Sequence, residues 1–574
     1  MGGDGEIQSL LRDLTPDDIS AELVAASRVC SAKGLLVSAA WLAELVQGLE
    51  MSSSSARPNR ASRNKTQVLK KHRCNIAVEY LRYSGQADES NHALLFAKTL
   101  FDTKELQRAA YHLRACSDAS SLFLRCYCTY LAGEKAKEED IVDNPKSHSV
   151  PINEKLKELR EELEDLYRMG KLDDPFCLWL LGLVLKNLSQ RSLARTVFVR
   201  SLNAFPYNWS AWTDLASVCD DIAQVKELPL DDHWMKTMFL AHFCVDSQLN
   251  KEALEHYTAL ERLFPHSNYI QGQLALAHYD SRDNNAALFH LEACQRLDPY
   301  ALDYKDLHSN ILFVEQNYAE LSNLAASAVE IDKYRPQSCC IVANYYSLRN
   351  QHEKAVMYFK RALRLDRGFL SAWTLLGHEY IELKNPAAAI QAYRHATDRN
   401  SRDYRAWYGL GQTYEILKMH SYAIHYYKKA MMIRPDDFRM WCALADCYEL
   451  ADKIEDAIVC HERAVQLNGH DGLPLLKLAK LYAARNENDK AAYYHFLNLL
   501  RHETEGTGGF DKALALNFLA QHCQSIKEYQ QAQQFCLRLL DCPGKEKEEA
   551  KALLREILSS CGAEDTLVYS VVST

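Results

Sequence analysis

Large and small apolar residues recur along this chain at a fixed interval of 34 positions. The segments AWTLLGHEYI, AWYGLGQTYE and MWCALADCYE contain Trp373, Trp407 and Trp441, which are separated by this interval. Four positions after the first two tryptophans stand Gly377 and Gly411. Three concordant copies predict a repeated structural unit, because chance does not place large and small residues in one register three times.

The register extends to further positions when each tryptophan is numbered as position four. A small residue at position eight lets the first helix of a unit approach the second, and aromatic residues fill the gaps between turns. This is the tetratricopeptide pattern, in which every repeat is a pair of antiparallel helices. The residues predicted to pack the repeats are Trp373, Gly377, Tyr380, Ala389, Trp407, Gly411, Tyr414, Ala423, Trp441 and Ala457.

The pattern can be followed toward both ends of the chain. We therefore predict an all-α fold, a tetratricopeptide-repeat superhelix (α-solenoid) with divergent N-terminal repeats and a C-terminal capping helix. Trp212 and Thr237 each occupy position four of a repeat, and the two repeats follow one another. The interval between these residues is 25 positions instead of 34, which predicts that a turn of helix is missing there. Nearer the C-terminal end, the segment ETEGTGG is an insertion beyond the 34-residue interval and predicts a glycine-rich loop.

Two polar stretches interrupt the N-terminal part. MSSSSARPNRASRNK and EKAKEEDIVDNPKSHSVP contain too little apolar surface to order themselves, so we expect mobile loops. The predicted segments are N-terminal helices over 1–50, a disordered linker over 51–67, divergent repeats that dimerise over 68–133, a charged loop over 134–152, repeats with a phase slip over 153–236, tetratricopeptide repeats with a groove over 237–542, a capping helix over 543–560 and a tail over 561–574.

The composition of the chain indicates which partners and cofactors to expect. The net charge of −9 gives no general attraction to nucleic acid, and no apolar run is long enough for a membrane helix, so neither is an expected partner. The 18 cysteines include no C-x-x-C pair, so we expect buried thiols and no metal or other cofactor. The start lacks a signal-peptide pattern, so we expect a protein of the cytosol or nucleus.

The repeats themselves are the expected functional element, since no pairing of nucleophile and base stands out. HEYIE at 378–382 has glutamate where a metalloprotease motif needs its second histidine. In a tetratricopeptide stack, the first helix of each pair lines a groove that suits an extended peptide with basic side chains. The candidate groove residues are Asn344, His378, Glu382, Arg405, Tyr408, Gln412, Glu415, Asp446 and Glu449, with ordinary solvated surface as the alternative for each.

Two other functions, co-chaperone and glycosyltransferase, make different demands on the sequence. A co-chaperone needs a clamp of lysine and arginine in the groove, but positions five and six of four repeats carry none. Those residues are Cys340, Ile341, Thr374, Leu375, Tyr408, Gly409, Cys442 and Ala443. A repeat-bearing glycosyltransferase needs a further α/β domain, and no region has that pattern. A generic tetratricopeptide adaptor or co-chaperone for another peptide stays as the alternative function.

Beyond the generic repeat, two stretches resemble a known family. EIDKYRPQSCCIVANYYSLRNQHEKAVMYFKRALRLD and AWTLLGHEYIELKNPAAAIQAYRHATDRNSRDYRAWYGLGQTYEILKM closely resemble the eighth subunit of the anaphase-promoting complex, or cyclosome. The resemblance is densest over 330–435, is weaker from FLRCYCTYLAGEK at 123 through EAKALLREIL near the end, and is lost at 52–65 and in the last dozen residues.

That resemblance implies a non-catalytic scaffold in a multisubunit ubiquitin ligase that acts in cell division. It further implies a homodimer formed through the N-terminal repeats, contacts with other subunits of the complex, and a groove in the C-terminal half that takes up a basic motif of the coactivator. The implied location is the nucleus and cytoplasm. Periodicity alone predicts only the repeats and the groove.

Overall fold

The computed structural model describes residues 16–53, 92–116, 118–143, 152–467, 472–505, 510–540 and 546–561. Within these ranges, every regular element is an α-helix and there is no strand, which confirms the predicted all-α tetratricopeptide class. The chain divides between Ile331 and Asp332 into two compact units, each built around its own helix pairs.

Unit 1 begins with helices of uneven length and continues as helix pairs. Its helices are α1 Pro16–Ala32, α2 Leu36–Ser53, α3 His92–Asp102, α4 Leu106–His112, α5 Ala119–Asp143, α6 Lys155–Arg168, α7 Pro175–Asn187, α8 Arg191–Ala204, α9 Trp209–Val218, α10 Ile222–Lys226, α11 Trp234–Asp246, α12 Asn250–Glu261, α13 Asn268–Asp280, α14 Asn284–Leu297, α15 Lys305–Val314 and α16 Tyr318–Asp332.

Unit 2 consists, in its described residues, of successive helix pairs and a final helix. Its helices are α17 Pro336–Leu348, α18 His352–Leu365, α19 Leu370–Glu382, α20 Pro386–Arg399, α21 Tyr404–Ile416, α22 His420–Ile433, α23 Phe438–Leu450, α24 Ile454–Leu467, α25 Gly472–Ala484, α26 Asn488–Glu505, α27 Phe510–Ile526, α28 Tyr529–Leu540 and α29 Glu546–Cys561. The last helix packs Leu554 and Ile557 against α27 and α28, as a capping helix does.

In unit 2, a residue with left-handed backbone conformation reverses the chain inside each helix pair. Between α19 and α20, Lys384 has φ 56°, and the amide of Asn385 donates to the carbonyl of Tyr380 over 2.8 Å. This arrangement satisfies the free carbonyls at the end of the first helix. Lys418 and Asp452 occupy the same place in the next two repeats and also have a positive φ. The short turn makes the two helices of a pair antiparallel, so each first helix packs directly on its second.

The predicted phase slip arises in the second helix of one pair. Helix α10 has 5 residues, whereas α8, the second helix of the preceding pair, has 14. The difference equals the nine positions by which the interval from Trp212 to Thr237 falls short. Trp212 remains fully buried and its indole donates to the carbonyl of Pro206 over 2.7 Å, so the first helix keeps the usual packing.

The prediction of a charged loop over 134–152 is wrong for residues 134–143. Helix α5 continues without a break to Asp143, and Lys137 pairs with Glu134 across one turn at 3.1 Å. Glutamate, lysine and alanine are strong helix formers, and charge pairs three or four residues apart support a solvated helix. The polar composition of this segment therefore excludes burial in a core but does not exclude a helix. Residues 144–151 lie outside the described residues.

Three other predicted segments meet the structure only in part. The linker over 51–67 is described at 51–53 alone, where α2 continues to Ser53. The ETEGTGG loop is helical at residues 503–505 of α26, so the prediction is wrong there, and 506–509 fall outside the described residues. Residues 562–574, almost the whole predicted tail, are likewise not described.

The N-terminal helices do not form a separate segment but pack on the repeats of unit 1. Trp41 of α2 stacks on Trp209 with ring centroids 4.3 Å apart and an interplanar angle of 5°. The Glu44 carboxylate accepts a hydrogen bond from the backbone amide of Tyr269 over 2.7 Å, at the N-terminal turn of α13. A carboxylate there satisfies a free amide and opposes the helix dipole. Helix α2 thus contacts the N-terminal turns of α9 and α13.

The apolar segment SSLFLRCYCTYLAG lies in α5 and is consumed by packing inside unit 1. Phe123 contacts the ring of Phe176 at 5.8 Å, and Cys126 lies in the same cluster. Cys128 lies on a different face, in the cluster that α5 forms with α3 and α4. The two cysteines diverge as expected for residues two apart on a helix. The segment itself therefore exposes little apolar surface.

Candidate peptide-binding groove

The repeat tryptophans hold the turn that precedes each first helix. The indole N–H groups of Trp373, Trp407 and Trp441 donate to backbone carbonyls six residues earlier, over 3.1, 2.9 and 2.8 Å respectively. Each tryptophan is half-buried, since one edge of the ring packs and the N–H reaches the turn. The first helices α19, α21 and α23 therefore start at the same point of their repeats.

Position eight must be small because a tyrosine of the second helix fills the space beside it. A Cβ atom on Gly377 would lie 2.4 Å from Cε1 of Tyr393, and a Cβ on Gly411 would lie 2.5 Å from Cε1 of Tyr427. Both tyrosines are fully buried. The rings thus press against the backbone of the first helix, which fixes the spacing within a pair.

The remaining predicted packing residues also lie at contacts between helices. Ala389, Ala423 and Ala457 are completely buried. Tyr380 lies under the ammonium of Lys360 at 5.7 Å, and the Tyr414 hydroxyl accepts a hydrogen bond from Arg394 over 3.1 Å. Position eleven therefore contacts the second helix of the preceding repeat.

A concavity with a volume of about 780 Å³ lies between α19, α21 and the turn before α22. Four of the nine predicted groove residues line it: His378, Glu382, Gln412 and Glu415. The other lining residues are Ile381, Ile416, Lys418, His420 and Leu450. This concavity is called the groove below.

The acidic character of the groove comes from two carboxylates in different settings. Glu382 is exposed at the end of α19. Glu415 is half-buried and accepts a hydrogen bond from the hydroxyl of Tyr427 over 2.7 Å. Lys418 adds one positive charge at the rim, so the groove carries two negative charges against one positive charge.

His378 contributes a neutral imidazole. Burial, with a smaller effect from the charge of Arg405, lowers the pKa of His378 from 6.5 to about 4. Its Nδ1 lies 2.8 Å from the Tyr393 hydroxyl, to which it is hydrogen-bonded. A guanidinium entering the groove therefore meets no opposing charge from this histidine near neutral pH.

Three predicted groove residues lie elsewhere and are not free to bind. Asn344 is buried in α17, so the prediction that packing leaves it available is wrong. Lys477 of α25 lies 2.8 Å from Asp446 and 3.5 Å from Glu449, and these ion pairs compensate both carboxylates. The position-nine carboxylate is therefore not an open site for a partner's arginine.

The last two predicted residues support the groove from α21. Tyr408 is half-buried, with its ring 5.3 Å from that of Tyr427. Arg405 is also half-buried and lies close enough to His378 to influence its pKa. Neither lines the concavity.

Sequence reasoning missed the apolar part of the groove. Ile416 and Leu450 are exposed and occupy position thirteen, the same position as Glu382. The repeat register already assigns position thirteen to the groove in every copy. The prediction covered only the polar residues at groove positions and therefore left out these two apolar ones. The groove therefore combines carboxylates and an amide with an apolar wall.

One side-chain cluster has the composition of a metal site. Potential ligand atoms of Asp446, Glu449 and His461 lie within 4.8 Å of one another. The ammonium of Lys477 reaches both carboxylates and supplies the positive charge there. His461 is 2.9 Å from Glu449, and burial lowers its pKa. We assign the cluster to packing between α23, α24 and α25.

Among the described residues, none of the helices combines the length and apolar character that crossing a membrane requires.

Residues 18–275 match the family model described as anaphase promoting complex subunit 8 / Cdc23, and residues 238–468 match a tetratricopeptide repeat model. Anaphase-promoting complex subunit 8 of Arabidopsis thaliana is 44% identical over 554 residues, which cover 93% of this chain and 96% of that relative. The chain belongs to the anaphase-promoting complex subunit 8 family.

A second relative supports the family assignment, and one solved structure is similar. The subunit of the same name from Dictyostelium discoideum is 39% identical over 590 residues and covers 94% of this chain and 98% of the relative. A chain of the solved APC/C hetero-tetramer Cut9–Hcn1 is similar at 16% identity with a TM-score of 0.47, covering 84% of this chain and 99% of that chain. The two subunit 8 relatives confirm the resemblance recognised in the sequence along almost the full length of the chain.

Proposed function

We propose that this protein is a non-catalytic scaffold subunit of the anaphase-promoting complex and that its groove takes up a basic motif of the coactivator. The relatives that match over nearly their whole length bear the name of a subunit of that complex. The observation that carries the binding proposal is the pairing of Glu382 and Glu415 in one concavity beside the amide of Gln412.

The chemistry of the groove suits an arginine on an extended peptide. Its guanidinium presents several N–H donors in one plane, which match carboxylate and amide oxygens. The apolar side chains of Ile416 and Leu450 give a surface for the peptide residues beside the arginine. A charge-assisted hydrogen bond contributes about 1.5–3 kcal/mol when partly buried, so half-buried Glu415 is expected to contribute more than exposed Glu382.

The test removes the two charges without changing side-chain size. Glu382→Gln with Glu415→Gln is compared with Glu353→Gln with Glu455→Gln, which removes two exposed carboxylates outside the groove. Glutamine is chosen for Glu415 because its amide oxygen can still accept the hydrogen bond from Tyr427. The measurement is the amount of coactivator retained by purified complexes that contain each variant.

We expect the groove variant to lose about tenfold in coactivator affinity, and the control variant to match the wild type. Equal recovery by all three proteins would contradict a binding site in this groove. Incorporation of each variant into the complex, followed by gel filtration, separates loss of binding from loss of assembly.

We also propose a homodimer formed through unit 1. Leu95 of α3 and Tyr111 of α4 are exposed, each with 63% of its surface accessible. Together with the aromatic contact between Phe96 and His112, they form an apolar surface on this part of unit 1. Leu95→Asp with Tyr111→Asp is expected to give a monomer by light scattering, with unchanged circular dichroism; a dimer of wild-type affinity would place the interface elsewhere.

A nuclear and cytoplasmic location is proposed from family membership. The composition supports it, because 15 of the cysteines form no disulfide bond. A fluorescent fusion imaged through the cell cycle tests it, and retention in the endoplasmic reticulum or another compartment of the secretory pathway would contradict it.

A further inference from the structure

One part of unit 2 is strongly basic although the chain as a whole is acidic. Residues 352–434 contain 14 lysines and arginines against 7 aspartates and glutamates, within a chain whose net charge is −9. This segment therefore carries a net charge of opposite sign to the whole. Such a local concentration of charge attracts an acidic partner.

The basic residues recur at one place on three successive second helices. At positions twenty-five and twenty-six of the repeat stand Lys360 and Arg361 on α18, Arg394 and His395 on α20, and Lys428 and Lys429 on α22. The corresponding pair on α24 is Glu462 and Arg463, and the pair one repeat earlier is Ala326 and Ser327. The five lysines and arginines Lys360, Arg361, Arg394, Lys428 and Lys429 are called the basic row below.

Aromatic rings of the repeat hold the basic row in place. Lys360 lies over the ring of Tyr380 at 5.7 Å, and Lys428 lies over the equivalent Tyr448 at 5.6 Å. Between them, Arg394 donates to the hydroxyl of the equivalent Tyr414 over 3.1 Å. These contacts leave the three cations exposed.

The inner members of the row have aromatic supports of their own. Lys429 lies over Trp407 at 4.5 Å, and Arg361 lies over Tyr334 at 5.1 Å. Cations held over rings lose less conformational freedom when a partner binds, so less entropy opposes binding.

The row is not neutralised by ion pairs. In the part of the chain that the structure describes, none of its five members forms an ion pair with a carboxylate. By contrast, Glu462 at the next equivalent position accepts hydrogen bonds from Tyr482 and Tyr494. Position twenty-five of the repeat is therefore basic on three helices and acidic on the fourth.

Exposed apolar side chains stand beside the cations. Met357 precedes Lys360 by about one turn of α18 and has 64% of its surface accessible. Met432 follows Lys428 by about one turn of α22 and is 78% accessible. Methionine is an adaptable contact residue at binding surfaces. The surface thus offers apolar contacts at both ends of a line of positive charge.

We propose that the basic row binds an acidic segment of a partner protein, one that carries aspartate or glutamate with apolar residues between them. The row lies on the second helices, whereas the groove is formed chiefly by the first helices, so this is a second interaction surface. The segment would follow successive repeats and place carboxylates against Lys360, Arg394 and Lys428.

Nucleic acid fits this surface less well. Single strands bind by stacking bases on exposed aromatic faces, but here Tyr380, Tyr414 and Tyr448 are buried or half-buried beneath the cations. The overall charge of −9 also opposes a polyanion as long as a nucleic acid, whereas a short acidic segment meets only the local positive field.

The test compares two triple variants of the full chain. Lys360→Gln, Arg394→Gln and Lys428→Gln together neutralise one cation on each helix. The control is Lys453→Gln, Lys480→Gln and Lys527→Gln, which removes three exposed lysines of unit 2 outside the row. The probes are a fluorescein-labelled peptide of repeated Asp-Glu-Leu, its Asn-Gln-Leu counterpart and a single-stranded RNA, measured by anisotropy at about 0.15 M salt.

We expect the acidic peptide to bind the wild type and the control alike, and to bind the row variant about tenfold more weakly, a change of about 1.4 kcal/mol. The neutral peptide should not bind. Equal binding of the acidic peptide to both triple variants, or RNA binding tighter than peptide binding and lost in the row variant, would overturn the proposal. Glu382→Gln with Glu415→Gln should leave acidic-peptide binding unchanged, which separates this surface from the groove.

A second measurement uses the assembled complex and no variant. Zero-length carbodiimide cross-linking joins a lysine ammonium directly to a carboxylate that touches it. We expect Lys360, Lys428 or Lys429 to be linked to aspartates or glutamates of one segment of another protein. Links from these lysines only to carboxylates of this chain would overturn the proposal.

Discussion

The hydroxyl of Tyr427 donates a hydrogen bond to the carboxylate of Glu415 over 2.7 Å, which joins the packing of a repeat to the wall of the groove. Tyr427 is fully buried, and burial raises its pKa, so the hydroxyl stays protonated and acts as the donor. Lysine at position 415 would leave that hydroxyl without its acceptor. Glu415→Lys should therefore lower the free energy of unfolding by about 1–3 kcal/mol more than Glu415→Gln, measured by denaturant titration. Equal losses would show that the bond contributes nothing to stability.

Position twenty of the repeat should reject a larger side chain. Ala389 is completely buried on α20, whereas Ala387, two residues earlier on the same helix, is exposed. Ala389→Leu overpacks the contact between helices and should cost about 1–3 kcal/mol, while Ala387→Leu should change stability by less than about 0.5 kcal/mol. Thermal melts of the two variants provide the comparison. Similar melting temperatures would contradict the assigned register.

Position eight should reject even one methyl group. In Gly377→Ala the new Cβ would lie 2.4 Å from the ring of Tyr393, so helix α19 must move away from α20. The expected loss is about 1–3 kcal/mol. Gly368→Ala, where the nearest atom is 3.1 Å away on the flexible side chain of Asp366, serves as the control and should be nearly neutral. A loss in the control as large as that in Gly377→Ala would show that the contact with Tyr393 is not the cause of the loss.

His378 should make stability depend on pH in a defined window. Its pKa is about 4 in the folded protein against 6.5 ordinarily, so the unfolded chain binds the proton first as pH falls. The stabilising contribution is complete above about pH 6.5 and is lost as pH falls from there toward 4. Half-buried His233 and buried His495, whose pKa values are also lowered to about 4, act in the same direction. His378→Gln should show a smaller loss of melting temperature between about pH 7 and pH 5 than the wild type.

The periodicity predicted the repeat because packing inside each pair depends on residues close in sequence. Gly377 meets Tyr393 and Gly411 meets Tyr427, and in both cases the two partners belong to the same repeat. A contact that recurs in every repeat requires residues of similar size at the same positions of every repeat. The position-twenty alanines and the turn residues share this property.

The groove was only partly predictable because its boundary depends on contacts between repeats. Asp446 and Glu415 look equivalent as carboxylates on first helices, but Lys477 of the following repeat pairs with Asp446. No periodic signal marks that lysine. The same limit applies to α1 and α2: the contact between Glu44 and Tyr269 joins residues 225 positions apart, and the register of the repeats does not encode it.

The stacking of Trp41 on Trp209 gives the protein an internal optical probe. Two indole rings that lie nearly parallel at 4.3 Å couple their electronic transitions, so this pair should produce an exciton band in circular dichroism. Replacing either tryptophan by phenylalanine removes that band without removing the helix signal. The band therefore follows the attachment of the first two helices to unit 1 separately from the folding of the remaining helices, in a protein that needs no added label.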